Sequence, residues 1–528
     1  MRILLFVIAF WFGFALFPNS KTAAGLKQGI RPAAVAGAFY PAQPEELQKM
    51  VDGFLAQAKT PAISNVIAIV APHAGYPYSG PVAAYSYALL KGRKPQRVVV
   101  IAPSHFEAFG FSSVYDGVAY STPLGQVPVD RDFVSRLVRL HPSIRASALG
   151  HKPDAEKREH ALEVQLPFLQ RVLGSNFQLV AIVMGDQSWV ECRALGTALA
   201  KLIQGSDTLI VASSDLSHYH PYDDAVRIDH KTLAGIEHWD YLSMSVNFET
   251  RNWEACGGGP IIAAMIAAER LGANQAHILK YANSGDTTGD HGRVVGYGAV
   301  AFSKGPAETG VQETAFTLGQ QEKDELLNIA RASVKSAVQE GKMYQCPAPK
   351  LSTLSDDGAA FVTLTERGDL RGCIGYVHPI KPLYIAVRDA SAMAAVQDPR
   401  FAAVTDREVG NLDYEISVLS PLRRVLEINQ IRVGQHGLVV RRGDTQGLLL
   451  PQVASERRWD RVTFVRQTCL KAGLSADAWR DGETDIFAFT AVVFGSTRTV
   501  TQATWNFEWL PRPGALAPDS PPPSATRF

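Results

Sequence analysis

Between Val66 and Phe302, short apolar runs alternate with longer stretches whose apolar residues recur every three or four positions. That is the pattern of buried strands alternating with amphipathic helices. VIAIVA (66–71), RVVVIA (97–102), QLVAIVMG (178–185), TLIVASS (208–214) and RVVGYGAVAF (293–302) predict strands. GPVAAYSYALLKG, RDFVSRLVRL, VECRALGTALAKLIQ, DDAVRIDHKTLAGIEHW and PIIAAMIAAERLG predict helices between them. The alternation predicts an α/β domain with a central, largely parallel sheet. Residues 304–320 lose the apolar period and are rich in Gly, Thr, Gln and Ala, which marks a linker. Beyond it the order changes. A helix (EKDELLNIARASVKSAV) leads into the hairpin AAFVTLTERGDLRGCIGY, turning at RGD, and a second helix, KPLYIAVRDASAMAAVQ, follows. Then come strands NLDYEISVLS, GLVVRR and QGLLLP, a helix around 455–472 and a last strand, DIFAFTAVVFG. Residues 321–510 therefore read as a smaller α+β domain, and the proline-rich stretch 511–528 as a disordered tail.

The chain's 528 residues exceed one ordinary core, in keeping with two domains. Its N-terminus, MRILLFVIAFWFGFALFPNSKTAAG, has one arginine and then an unbroken apolar run from Ile3 to Phe17. That run falls short of the ~20 residues a membrane-crossing helix needs and has the layout of a secretory signal. Residues 1–24 are thus expected to act as an export signal, cleaved after Ala24, or as a membrane anchor; a mis-assigned start would leave a cytoplasmic protein. A net charge of +1 with scattered basic residues leaves no electrostatic footprint for nucleic acid. Five cysteines, none in CxxC spacing, argue against a disulfide-stapled fold.

In an open α/β sheet, ligands bind beyond the carboxyl ends of the strands. Three predicted strands run into titratable residues there: His73 in VIAIVAPHAGY, His105 in APSH, and Asp215 with His218 in SSDLSH. If those strands are parallel, all four residues share one rim. Any one of the histidines alone reads as structural; the shared placement points to a ligand role. Two imidazoles and one anionic group make a facial transition-metal site with positions left open. Two sources offer the third group. Cys256 in ACGGGP stands at a helix entry that would lower its thiol pKa. Glu159 and Glu163 in REHALEVQLPFL would share one face of a helix at i and i+4, although that stretch also reads as a helix with a merely wet face.

RPAAVAGAFYP, PHAGYPYSG, APSH, EHALEVQLPFL, SSDLSHY, CGGGP and VVGYGAVAF occur in this order across residues 31–303, and together they resemble the Memo family. The resemblance implies a fold similar to class III extradiol dioxygenases, a metal site of His73, His105 and Cys256, and Asp215 and His218 lining the pocket with possible catalytic roles. A cysteine in place of the dioxygenases' carboxylate softens such a site toward copper or thiolate-bound iron. Residues 321–510 resemble the AMMECR-type family through FVTLTERGDLRGCIGY, AAVQDPRF, LDYEISVLSP and DAWRDGETDIFAF. There, Arg371 and Cys373 mark a possible second site, with Asp398, Arg400 and His378 as further members of a polar groove; Cys373 by itself reads as a small buried strand residue. Together the two resemblances imply two components of the AmmeMemoRadiSam system on one chain. The chain has no CxxxCxxC, so the radical S-adenosylmethionine component would be a separate partner. The expected function is redox chemistry on O2 or on a small or peptidic substrate, or else non-catalytic binding of a peptide or protein in the same pocket.

Overall fold

The computed structural model of the chain describes residues 29–154, 158–306 and 317–496. The expected signal or anchor segment (1–24), most of the linker and the tail (511–528) lie outside the described residues.

Among the described residues the main sheet of the N-terminal unit has nine strands: β1 (Val66–Ala71), β2 (Arg97–Pro103), β3 (Ser112–Val114), β4 (Ile144–Ala146), β5 (Gln178–Met184), β6 (Thr208–Ser213), β7 (His218–His220), β8 (Gln275–Asn283) and β9 (Val294–Ser303). Their order is β7-β9-β1-β6-β2-β5-β3-β4, with β8 on β9. The inner quartet β1-β6-β2-β5 is parallel. Val98–Ala102, Leu179–Val183 and Leu209–Ala212 are 0% exposed, which explains why these strands read as continuous Val/Ile/Leu/Ala runs rather than alternating ones. Helices α1 (Pro44–Gln57), α2 (Tyr76–Ala88) and α3 (Leu166–Leu173) cover one face. Helices α4 (Trp189–Ile203), α5 (Tyr222–Glu237), α6 (Tyr241–Glu249) and α7 (Gly258–Arg270) lie on the other.

The sheet is mixed rather than largely parallel at its margins. β9 runs antiparallel to β1, and β3 antiparallel to β5. β8 was not expected, because its His277, Lys280 and Asn283 interrupt the apolar run; it is mostly half-buried and pairs along β9 alone. The expected helix through Glu159 and Glu163 does not form as such. Glu159 lies in irregular chain, Glu163 begins a single 3-10 turn, and the helix starts at Leu166.

In the C-terminal unit, β10 (Ala359–Glu366) and β11 (Asp369–Gly375) form the expected hairpin. Its two-residue turn, Arg367-Gly368, has φ of 56° and 91°, the left-handed pair that suits tight hairpins. With β12 (Leu412–Leu419) they pack on α8 (Gln320–Lys335) and α9 (Leu383–Val396). A second sheet holds β13 (Arg423–Arg424), β14 (Gly437–Arg442), β15 (Thr445–Leu449) and β16 (Asp485–Phe489). The last predicted strand, DIFAFTAVVFG, breaks at Thr490. Its first half is β16, and its second half, β17 (Ala491–Gly495), pairs with β12 in the first sheet. The helix expected around 455–472 is likewise two helices, α10 (Pro451–Glu456) and α11 (Arg461–Lys471), the second capped by Asp460. Among the described residues no helix is long and apolar enough to cross a membrane.

The units pack on each other. Leu422, Val439, Phe487 and Phe489 continue the apolar cluster under α4, α6 and α7, and Phe487 meets the Tyr241 ring edge-on at 5.9 Å. Beside them Asp485, its side chain 4% exposed, accepts from Arg193 at 2.5 Å and lies 3.1 Å from Arg424 and 3.4 Å from Arg270. One buried carboxylate thus serves guanidinium groups from both units. Removing it takes from Arg270 its carboxylate and leaves Arg193 with the exposed Glu483 and Arg424 with Glu269 at 3.7 Å, a larger loss than breaking an exposed pair. Asp485→Asn is expected to lower unfolding stability by about 3 kcal/mol in denaturant titration. Asp477→Ala, which breaks the half-exposed pair with Arg466, should cost under ~1 kcal/mol. Equal losses would contradict this reading of the interface.

Candidate metal centre

Because β1, β6 and β2 are parallel and in register, Ala71 beside Ser213 and Ile101 beside Ala212, their carboxyl ends open on one rim. His73, Asp215 and His105 follow two residues or so later, and the chain brings all three together there. Asp215 Oδ1 accepts the His73 N–H at 2.7 Å and the Ala74 N–H at 3.3 Å, tying the ends of β1 and β6 to each other. The loop before α7 delivers Cys256 to the same place. Asp215 N–H donates to Cys256 Sγ at 3.3 Å, and Cys256 N–H donates to the Asp215 carbonyl at 3.3 Å. The glycines after it permit this approach: a Cβ on Gly257 would stand 2.3 Å from the Ser213 carbonyl oxygen. Cys256 Sγ ends 3.1 Å from His73 Nε2.

The ring orientations follow from hydrogen-bond inventory. Ser213 Oγ gives its one proton to the Ala161 carbonyl at 2.6 Å and accepts from Gln165 Nε2 at 2.7 Å. Its remaining partner, His73 Nδ1 at 2.9 Å, must therefore be the donor. Nε2 of His73 is left bearing a lone pair toward Cys256. His105 Nδ1 lies 3.1 Å from Glu159 Oε1, and His218 Nδ1 lies 2.8 Å from the Leu216 carbonyl, so both rings also turn Nε2 away from these oxygens. This is the arrangement by which proteins orient metal-ligating imidazoles.

A third histidine, His160, joins the first two. The candidate ligand atoms of His73, His105 and His160 all lie within 4.8 Å of one another. The His160 ring stacks on His105 with centroids 4.8 Å apart. Its neighbour Glu159 does not supply a ligand; it accepts the His105, His160 and Ala161 N–H groups as well as His105 Nδ1. Glu163 faces the opposite way, buried against Arg31, Tyr40 and the Ala34 and Val35 N–H groups. The two glutamates expected on one helical face are therefore separate braces. His160 stood inside the very stretch that drew attention to Glu159 and Glu163, and the assumption of a helix hid it.

Charge is distributed unevenly. Burial, together with neighbouring imidazoles, pushes the His73 pKa well below its ordinary value. Burial and His105 lower that of His160 to about 4. Both rings are neutral near neutral pH, as metal ligation requires. His105 differs: burial would lower it, but Cys256 and Glu159 outweigh burial and hold it up to about 10. Burial pushes the Cys256 thiol upward, against the lowering expected at a helix entry. Asp215 is raised to about 6, again chiefly by burial. An incoming cation would thus displace protons from His105 and Cys256. Imidazole nitrogens and a sulfur, each positioned by a second hydrogen bond, fit a borderline or soft transition metal.

The second-unit residues are arranged differently. Arg371 is committed to Glu408 at 2.8 Å and to the Ala402 and Ala403 carbonyls. Cys373 accepts from Thr363 Oγ1 at 3.3 Å, and its N–H donates to Asp398 at 2.9 Å. Arg400 donates to Asp398 and to the Cys373 carbonyl. His378 does not join them; it is buried at the junction of the units, 3.0 Å from Ser243 Oγ. Burial raises the Cys373 thiol pKa.

The class so defined is a two-unit chain whose first unit is an α/β sheet with a histidine- and thiol-lined rim able to hold a metal. Residues 31–301 match the family described as Memo-like protein, and the chain belongs to the Memo family, with the extradiol-dioxygenase-like fold that membership implies; residues 327–494 match AMMECR1. A MEMO1 family protein of Methanopyrus kandleri is 38% identical over 286 residues, covering 52% of this chain and 99% of that protein. One from Aeropyrum pernix is 41% identical over 285 residues, covering 51% and 99%. An uncharacterized protein from Pyrococcus horikoshii of known crystal structure is 39% identical, covering 32% of this chain and 89% of that one, with a TM-score of 0.32.

If the Ser213 hydroxyl sets the His73 tautomer, Ser213→Ala should weaken transition-metal affinity about 10- to 100-fold in competition with a chromophoric chelator while the fold persists. Unchanged affinity would contradict the assignment.

Proposed function

We propose that the N-terminal unit is a metal-dependent oxidoreductase site that holds iron or copper through His73, His105 and Cys256, with His160 at hand as a further imidazole. One observation carries this reading: ring nitrogens oriented by separate hydrogen bonds converge beside the Cys256 sulfur, 3.1 Å from the nearest of them. Bound iron or copper would supply the electron-transfer capacity that these side chains lack. The substrate is O2 or a small or peptidic molecule admitted at the strand-end rim. His218, its Nδ1–H tethered to the Leu216 carbonyl, has Nε2 available to take or return a proton. Asp215 braces the His73 and Cys256 backbones. The radical component of the same three-part system is a separate protein, and the apolar N-terminal run favours export or anchoring.

A second reading has its own support. Phe106 and Tyr219 are 47% and 61% exposed, and their rings border His105 and His218. Exposed aromatics around a buried polar pocket suit capture of a peptide or protein without turnover.

After anaerobic reconstitution with Fe(II) or Cu(I), the protein should retain about one metal per chain and consume O2. His73→Ala, folded by circular dichroism, should lose both. Absence of retained metal in the wild type would contradict the redox reading. A peptide or protein partner that stays bound after chelation and is lost in His218→Ala would favour the binding reading.

A further inference from the structure

We propose that Asp357, contributed by the C-terminal unit, is a positioning residue for the Cys256 loop of the N-terminal unit; the proposal rests on the metal-site reading of Cys256. Asp357 stands just before β10, with its side chain 6% exposed. Its carboxylate takes Lys231 Nζ of α5, 2.9 Å from Oδ1 and 2.8 Å from Oδ2. Oδ2 also accepts the Trp253 indole N–H at 3.2 Å. Lys231 and Trp253 are the two sides of a junction that leads directly to the pocket.

Trp253 is 5% exposed and lies three residues before Cys256. Its ring packs so closely on α5 that a Cβ on Gly235 would meet it at 2.5 Å. Beside Lys231, Thr232 donates to the Glu254 carbonyl at 3.2 Å. The Glu254 carboxylate in turn pairs with His220 at 2.9 Å and lies 3.4 Å from the His218 N–H. Asp357 therefore closes a path that runs through α5 and residues 253–256 to the Cys256 thiol and the His218 strand. On its far side the loop is held within the N-terminal unit, by Gln187 on the Cys256 carbonyl and Ser214 on the Gly257 N–H. On its near side the holding carboxylate comes from the other unit. Docking of the C-terminal unit thereby bears on where Cys256 sits.

The other strong cross-unit anchor, Asp485, engages Arg270 at the opposite end of α7, roughly 18 Å along the helix from Gly258. It holds the units together without touching the loop, so it separates docking from positioning. In the full-length, metal-free protein, Asp357→Ala should speed iodoacetamide alkylation of Cys256, read by peptide mass spectrometry, about tenfold through easier local opening. It should also weaken the thiolate-to-cobalt charge-transfer band after Co(II) addition. Trp253→Phe, which removes the indole N–H along with the five-membered ring, should shift both readouts in the same direction, and Asp357→Asn should fall between Asp357→Ala and wild type. Asp485→Asn should lower the unfolding midpoint and leave both readouts at wild-type values. The proposal is overturned if Asp357→Ala and Trp253→Phe match wild type, or if Asp485→Asn shifts Cys256 as much as they do. A wild type with no cobalt band would sink the metal reading, while the alkylation rates would still decide the role of Asp357.

Discussion

A serine hydroxyl has one proton to donate, and Ser213 spends it on the Ala161 carbonyl. The tautomer of the most deeply buried imidazole at the rim depends on that choice. His73 must then donate from Nδ1, and its unprotonated Nε2 must face the sulfur of Cys256. Buried hydroxyls and imidazoles in low dielectric carry heavy penalties when left unpaired, so the network that holds Ser213 also fixes the electronic character of the ring. Asp215 does the corresponding work on the backbone, joining the ends of two parallel strands and the Cys256 loop. The pocket is organised before any cation arrives: Cys256 and Glu159 hold the His105 pKa up against burial, whereas burial is what raises that of the Cys256 thiol.

Much of this was legible in the chain. Strands buried on both faces announce themselves as unbroken apolar runs, and β1, β2, β5, β6 and β9 fall within a residue or so of the runs that predicted them. The meeting of His73, His105, Asp215 and Cys256 on one rim followed from strand direction together with the family resemblance. What was hidden depended on tertiary context. Ser213 reads as the last residue of a strand, and nothing local says that its hydroxyl will decide a tautomer. His160 lay within REHALEVQ, whose spacing suits a helix; the multiple N–H bonds to the Glu159 carboxylate override that propensity and keep the segment irregular. β8 was obscured because a strand bordering one neighbour tolerates His277 and Lys280. DIFAFTAVVFG was continuous in pattern, yet Thr490 divides it between two sheets.

The C-terminal unit carries its thiol differently. Cys373 is enclosed by strand partners, and the arginine once grouped with it, Arg371, is saturated by Glu408 and two carbonyls. His378, from the same predicted groove, instead helps to seal the junction with the N-terminal unit. That junction combines an apolar wedge around Phe487 with buried charge at Asp485 and Asp357. Buried ion pairs of this kind contribute little net stability but penalise any misplaced geometry, which suits a contact whose consequence is registration of one unit against the other.

The central claim is that an imidazole and thiol centre at the strand ends holds a transition metal. X-ray absorption at the metal edge of the iron- or copper-reconstituted protein addresses it most directly. The account predicts one sulfur scatterer at about 2.3 Å, as for metal–thiolate bonds, with imidazole nitrogens completing the near shell, and loss of the sulfur in Cys256→Ser. A shell of nitrogen and oxygen alone in the wild type, or a sulfur that persists in Cys256→Ser, would contradict it.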